Sequence, residues 1–349
     1  MVAKPDTRYS EIDVLRGFAA LAVVFSHYFP FWDRYAEPIP VLIPNAVGYW
    51  AVKLFFVISG FVIFFTLERC RSVLDFVVLR FSRLYPAYWA SLFVATLVGV
   101  SIGASDFWLG GFVANATMAQ QFLGFPHLDN VYWSLSVELA FYVNVAALFA
   151  LRLLRRLYLV VGVWLAASAL WAIGWHDMGN VTAAAGDLVA TDERDWAALL
   201  FAFDYSPYFA LGIVFYRGKT QGWTPASFVL CLFALGVEFV LAGWEGLAVA
   251  LVCVGAFALA VNGHLRVLVG KLTLWLGSIS YSLYLIHRNL GFLLLAWLAD
   301  HAIAGFMAIG IAVAGALLAA SILAFGIERP VSSRIRSWYK SSRTRSSSP

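Results

Sequence analysis

The segment DVLRGFAALAVVFSHYFPFW, residues 13–32, decides the fold class. Twenty residues at 1.5 Å each make about 30 Å of helix, the thickness of a bilayer's hydrocarbon core. Its flank, KPDTRYSEID, mixes acids with bases, and no A-x-A cleavage site follows the apolar run. The segment therefore reads as a retained membrane helix rather than a signal peptide. Apolar runs of similar length recur near 49–68, 84–104, 131–151, 158–175, 197–216, 224–242, 246–263, 272–298 and 303–327. Composition agrees: 62% of the residues are hydrophobic and 13% charged, with a mean hydropathy of +0.81. A soluble domain carries about 25% charged residues. The alternating ten-residue segments of a membrane β-barrel are absent. The sequence predicts an all-α polytopic membrane protein with about ten transmembrane helices. The net charge of +4 belongs to its loops and points to no nucleic-acid partner. Cys70, Cys231 and Cys253 have neither metal-site nor C-x-x-C spacing, so neither a disulfide framework nor a metal site is expected.

The basic residues orient the chain. With the N-terminus inside, the inner loops and boundaries hold 20 of the 24 Lys and Arg, while only Arg34 and Arg194 fall in outer loops. The positive-inside rule thus places both termini in the cytoplasm. The longest loops, 105–130 and 176–196, face outside, and none could hold a separate globular domain. Residues 1–330 form a single transmembrane domain. Residues 331–349, ending in KSSRTRSSSP, read as a basic, Ser-rich cytoplasmic tail expected to be disordered.

Against this background Arg16 and His27 stand out. Eleven residues make three helical turns plus about 20°, so both lie on one face, about 16 Å apart along the axis. A charge at the centre of a membrane helix costs about 2.5–3.5 kcal/mol on insertion scales, and such residues usually face the bundle interior. The structural alternative is that Arg16 snorkels to the inner surface and His27 bonds a neighbour. Within YWSLSVELAFY, Glu138 falls about seven residues from the outer face, a depth similar to that of His27. A buried carboxylate needs a partner, so a His27–Glu138 pair is expected. SISYSLYLIHRNL brings His287 to a similar depth; with Tyr284 and Ser280 it forms a polar stripe on one helix. On the inner side, VVLRFSRLYP presents Arg80 and Arg83 at i,i+3, a fork suited to phosphate or simply inner-surface charge.

In order along residues 8 to about 330, five elements resemble the membrane acyltransferase-3 family, whose members O-acylate sugars and other cell-surface molecules. They are EIDVLRGFAALAVVFSHY with Arg16 and His27, VKLFFVISGFVI, RFSRLYPAYW with Arg80 and Arg83, YWSLSVELAFY with Glu138, and SYSLYLIH with His287. The terminal IERP at Glu328 also fits. The resemblance implies a stand-alone member in a bacterial inner membrane. It implies acyl-CoA, usually acetyl-CoA, as cytoplasmic donor and an extracytoplasmic glycan hydroxyl as acceptor. It also implies that Arg80 and Arg83 hold the CoA phosphates, with Arg16 deeper along the donor path. His27 would be the catalytic base, with Glu138 its partner and Tyr284, His287 and Ser280 in support. The rival function is a proton-coupled transporter or flippase, which intramembrane His, Glu and Arg would also suit. Its expected duplicated halves and matched Gly/Pro-broken spans are not evident. A membrane scaffold would leave the co-located polar groups unexplained. Trp108, Trp133 and Trp175 in outer segments suit stacking on sugar rings, and equally mark a membrane interface.

Overall fold

In a membrane every backbone N–H and C=O must be satisfied within the protein, which selects helices. The computed structural model describes residues 9–36, 39, 45–101, 103, 108–175 and 193–346, and all regular structure among them is helical. The helices are α1 (Ser10–Tyr35), α2 (Asn45–Leu67), α3 (Val73–Ser101), α4 (Leu109–Ala116), α5 (Trp133–Ala150) and α6 (Leu157–Trp175). There follow α7 (Glu193–Leu200), α8 (Ser206–Gln221), α9 (Pro225–Val261), α10 (Lys271–Asp300), α11 (Gly305–Leu323) and α12 (Arg329–Ser346). Eight helical stretches among the described residues are long and apolar enough to cross a bilayer. The protein is an all-α polytopic integral membrane protein.

Two local features reconcile eight with the ten apolar runs of the sequence. First, α9 is two arms meeting at Gly243, whose φ of 62° lies in the left-handed region that glycine tolerates. On one straight helix Glu238 and Cys253 would stand about 22 Å apart. Instead Glu238 bonds Lys53, while Cys253 Sγ reaches the carbonyl of Trp50, one turn away on α2. The chain therefore doubles back, and the arms match the runs expected at 224–242 and 246–263. Second, the run expected at 197–216 breaks at Ala202, where φ is 48°, and restarts as the buried, 16-residue α8 with Pro207 in its first turn. Proline fits there because the first-turn N–H has no helical partner.

Helical structure extends beyond two of the apolar runs. Helix α3 starts at Val73 rather than near 84, because Asp75 accepts bonds from the N–H groups of Arg71 and Ser72 while the Ser72 hydroxyl accepts from Asp75 N–H. This reciprocal pairing is a capping box. The tail expected to be disordered is corrected through Ser346: residues 329–346 form α12. It docks on α3 through Ser332 to the Ser82 carbonyl and through Tyr339 and Arg343 to Asp75. Composition alone argued for disorder; the acidic partner comes from more than 250 residues earlier in the chain.

Helices α1 and α10 run parallel, since contacts ascend together from Gly17–Gly277 to Tyr28–Gly291. A Cβ on Gly17 would lie 2.8 Å from Gly277 N, and one on Gly277 would overlap the Asp13 carbonyl. Small residues here let the two backbones touch, the main device of helix packing in lipid. Gly60 on α2 and Gly212 on α8 make a second such seam. The α1–α10 contact sets the height at which His27 faces His287.

Candidate active site

The His27 ring meets His287 across the α1–α10 seam, with Nδ1 of His27 2.9 Å from Nε2 of His287. His287 is fully buried, and its other nitrogen, Nδ1, lies 2.9 Å from the Tyr284 carbonyl and 3.1 Å from the Leu283 carbonyl. Carbonyls only accept, so Nδ1 of His287 carries the proton and its Nε2 is an acceptor. Nδ1–H of His27 must then donate to it, which leaves Nε2 of His27 with its lone pair available. Two backbone carbonyls thus set the tautomers of both rings. Tyr28 OH donates to the His287 carbonyl at 2.8 Å and locks the same turn to α1.

Glu138 does not take the place expected for it. Its Oε1 accepts hydrogen bonds from Ser59 and, at 2.5 Å, from Tyr142, while His27 is paired with His287. The expected His27–Glu138 pair is therefore corrected to His27–His287. Neither adjacency nor the expected depth holds: α2 runs antiparallel to α1, with Gly48 against Ser26 and Phe61 against Tyr9, so Ser59 and its partner Glu138 stand near the level of Arg16 rather than of His27.

Glu138 belongs instead to a cavity of about 120 Å³. Arg16, Arg80 and Arg83 line it from α1 and α3, with Ser59, Tyr142, Ser134, Ser280, Tyr281 and Tyr284 around them. The three arginines singled out in the sequence thus share one chamber, each differently held. Arg16 lies 3.8 Å from Asp13. Arg80 bonds the Thr66 hydroxyl and sits 5.8 Å from the centre of the Tyr142 ring. Arg83 is ion-paired with the buried Glu328, whose other oxygen accepts from Ser282 at 2.7 Å. Ser280 bonds the Gly277 carbonyl of its own helix. Tyr284 both lines the chamber and stands 6.1 Å, ring to ring, from His287; its hydroxyl is tied to Ser134 at 2.7 Å and to the Val131 carbonyl at 3.1 Å. It borders both the arginine chamber and the histidine pair.

The loop before α5 closes the site from the opposite end. Asn115 Nδ2 bonds the Pro126 carbonyl, and Leu128 N–H bonds Asn115 Oδ1. Asn289 Nδ2 reaches the Leu128 carbonyl. Asp129 accepts from Val131 N–H and Asn289 N–H, and Arg288 Nη1 lies 3.7 Å from it. Burial pushes the Asp129 carboxyl up to about 6, outweighing the attraction of Arg288. Sequence reasoning missed Asp129, Arg288, Ser59 and Tyr142. Only Arg288, a charge inside an apolar run, carried a signal that could have found it.

The sequence as a whole matches the acyltransferase domain family over residues 9–325. This chain belongs to that family. The acyltransferase is also similar to individual proteins. ORF330 of Acidianus two-tailed virus, named as a candidate acetyltransferase, is 24% identical over 78% of this chain and 80% of its own length. Nodulation protein 10 of Rhizobium leguminosarum bv. viciae is 29% identical over 48% of this chain and 51% of its own. Acyltransferase MdmB of Streptomyces mycarofaciens is 30% identical over 39% of this chain and 38% of its own. No solved structure matches the acyltransferase.

Proposed function

We propose that this acyltransferase moves an acyl group, acetyl in the simplest case, from acyl-CoA to a glycan hydroxyl, in a bacterial inner membrane with both termini cytoplasmic. The donor approaches from the arginine end and the acceptor from the opposite face. The observation that carries the reading is the histidine pair, whose bonding leaves one imidazole nitrogen free to accept a proton at membrane depth. The chamber has room for an acyl group and the adjoining part of a pantetheine arm. The nucleotide end then lies outside the bundle, where Arg80 and Arg83 are nearest its phosphates, with Arg16 deeper. The roughly 16 Å from Arg16 to His27 suits such an arm.

In this reading the acceptor hydroxyl gives its proton to Nε2 of His27 as its oxygen attacks the thioester carbonyl. His27 becomes an imidazolium, and its Nδ1–H bond to His287 turns from neutral to charge-assisted, which strengthens it. His287 thereby does what a carboxylate does in a hydrolase triad, orienting the ring and stabilising its charged form. Glu138 acts on the donor side, holding Ser59 and Tyr142 around the chamber.

The test is a purified-protein assay with labelled acetyl-CoA, following acyl transfer and thioester hydrolysis. Wild-type protein should consume the thioester, and His27→Ala should lower turnover by about 10²–10⁴-fold, the usual contribution of base catalysis, with donor binding retained. Full turnover by folded His27→Ala protein would remove His27 from the chemistry.

A further inference from the structure

Arg288 is a guanidinium within a membrane-spanning helix, where its insertion alone costs about 2.5–3.5 kcal/mol, and the chemistry above does not use it. It directly follows His287 on α10. Its ion pair with Asp129 Oδ1 is 3.7 Å long, beyond hydrogen-bond reach. Asp129 instead takes its hydrogen bonds from two backbone N–H groups, of Val131 at 3.2 Å and of Asn289 at 3.3 Å. The carboxylate therefore balances the charge of Arg288 through one long contact at Nη1 and leaves its other donors open.

The guanidinium carbon lies 5.0 Å from the centre of the Phe292 ring, and the His27 ring packs edge-on to that same ring at 6.4 Å. Phe31 stacks on Phe292 at 4.0 Å and fixes it. His27 and Arg288 thus share one wall. A quarter of the Arg288 side chain is accessible, at 25%, whereas Lys53 is 6% accessible and bonded to Glu238 at 2.9 Å. Of these two intramembrane cations, Arg288 is the one with donors to offer beside the base.

We propose that Arg288 stabilises the oxyanion that forms during acyl transfer, the negative oxygen lying between its guanidinium and the His27 imidazolium. The inference rests on the acyltransferase reading and on His27 as base. In the step, the acceptor oxygen bonds to the thioester carbonyl carbon while its proton passes to Nε2 of His27. The carbonyl π pair becomes a lone pair on oxygen, next to Arg288. Collapse restores C=O and breaks the C–S bond, and the CoA sulfur leaves with the electron pair and takes the proton back from His27. A charged donor already fixed at the position of developing charge needs no reorganisation, and the dry surroundings strengthen it.

The experiment uses full-length protein in detergent, with acetyl-CoA hydrolysis as an acceptor-free readout. Transfer to octyl β-glucoside and octyl β-glucuronide supplies a neutral and an anionic acceptor. Water and sugar both pass through the same oxyanion, so Arg288→Met should lower kcat for hydrolysis and transfer alike by about 10²–10³-fold, as removal of one oxyanion donor does. The KM for acetyl-CoA should stay close to wild type. Arg288→Lys, which keeps the charge without the fork, should recover part of the loss. Unchanged kcat in folded Arg288→Met protein overturns the assignment. So does a loss confined to the glucuronide with hydrolysis intact, which would mean that Arg288 reads a charge on the acceptor. A wild-type protein that consumes no acetyl-CoA in any assay removes the acyl-CoA reading itself, and this inference with it.

Discussion

Replacing His287 with alanine removes one hydrogen bond, and the structure allows its effect on the reaction to be worked out. In the resting site the bond from Nδ1–H of His27 to Nε2 of His287, 2.9 Å long, joins two neutral rings. Such a bond is worth about 1 kcal/mol, and one with a charged partner about 1.5–3 kcal/mol. The gain on forming the imidazolium is the difference, roughly 1.5 kcal/mol, or about tenfold in kcat. A second loss follows, because without His287 the His27 ring loses the side-chain acceptor that fixes the tautomer exposing Nε2. A further factor of about ten is reasonable, well below the roughly 10⁴ seen when a triad acid is replaced by a wrong-tautomer partner, since the His27 ring can still sample both forms. His287→Ala should therefore lose about 10²-fold in kcat with little change in donor KM, and His287→Gln, whose amide oxygen can accept the same bond, should lose less. The assay is steady-state acetyl-CoA turnover, run alongside thermal unfolding to confirm folding. The decisive comparison is the double variant. If the two rings act as one unit, His27→Ala/His287→Ala should be no slower than His27→Ala alone. Multiplicative losses, or full kcat in His287→Ala, would refute the dyad.

The arginines should separate by their partners. Arg80→Ala should weaken donor binding by one to two orders of magnitude, the loss of a charge-assisted phosphate bond worth about 1.5–3 kcal/mol, measured as acyl-CoA affinity. Arg83→Ala should in addition destabilise the fold by about 3 kcal/mol, because it leaves Glu328, 5% accessible, without its cation; unfolding curves should show Glu328→Gln restoring stability. Gly277→Leu should separate α1 from α10 and abolish turnover, with the separation read as lost proximity between cysteines placed at the C-terminal ends of the two helices. In the loop between α4 and α5, burial lowers His127 to about 4, and its Nδ1 lies 2.7 Å from Gln120 Nε2, a donor that only the neutral ring can accept. With the unfolded value near 6.5, this contribution is complete above that pH and is lost as pH falls toward 4. Hydrogen exchange across residues 118–128 should accelerate in that window.

Membrane segments announce themselves residue by residue, because lipid admits only long apolar helices, and so the fold class was legible in sequence order alone. The face shared by Arg16 and His27 was legible for a similar reason: helical period is local. The i,i+3 spacing of Arg80 and Arg83 likewise survived into one chamber. What sequence could not supply was which helices touch. Counting residues from the ends of apolar runs put Glu138 level with His27, whereas packing sets it beside Ser59 and Arg16, and lateral position likewise depends on contacts between distant segments. Gly17 against Gly277 makes α10 the neighbour of α1, so His27 meets a second imidazole instead of a carboxylate. Composition misjudged α12 for the same reason, since Asp75, which holds Tyr339 and Arg343, is separated from them by most of the chain. The tautomers of the histidine pair depend on the carbonyls of Leu283 and Tyr284, groups every residue possesses and no sequence pattern distinguishes. Local periodicity determined which residues enter the membrane; the close contact of glycine-bearing helices decided at what level they stand and which of them meet.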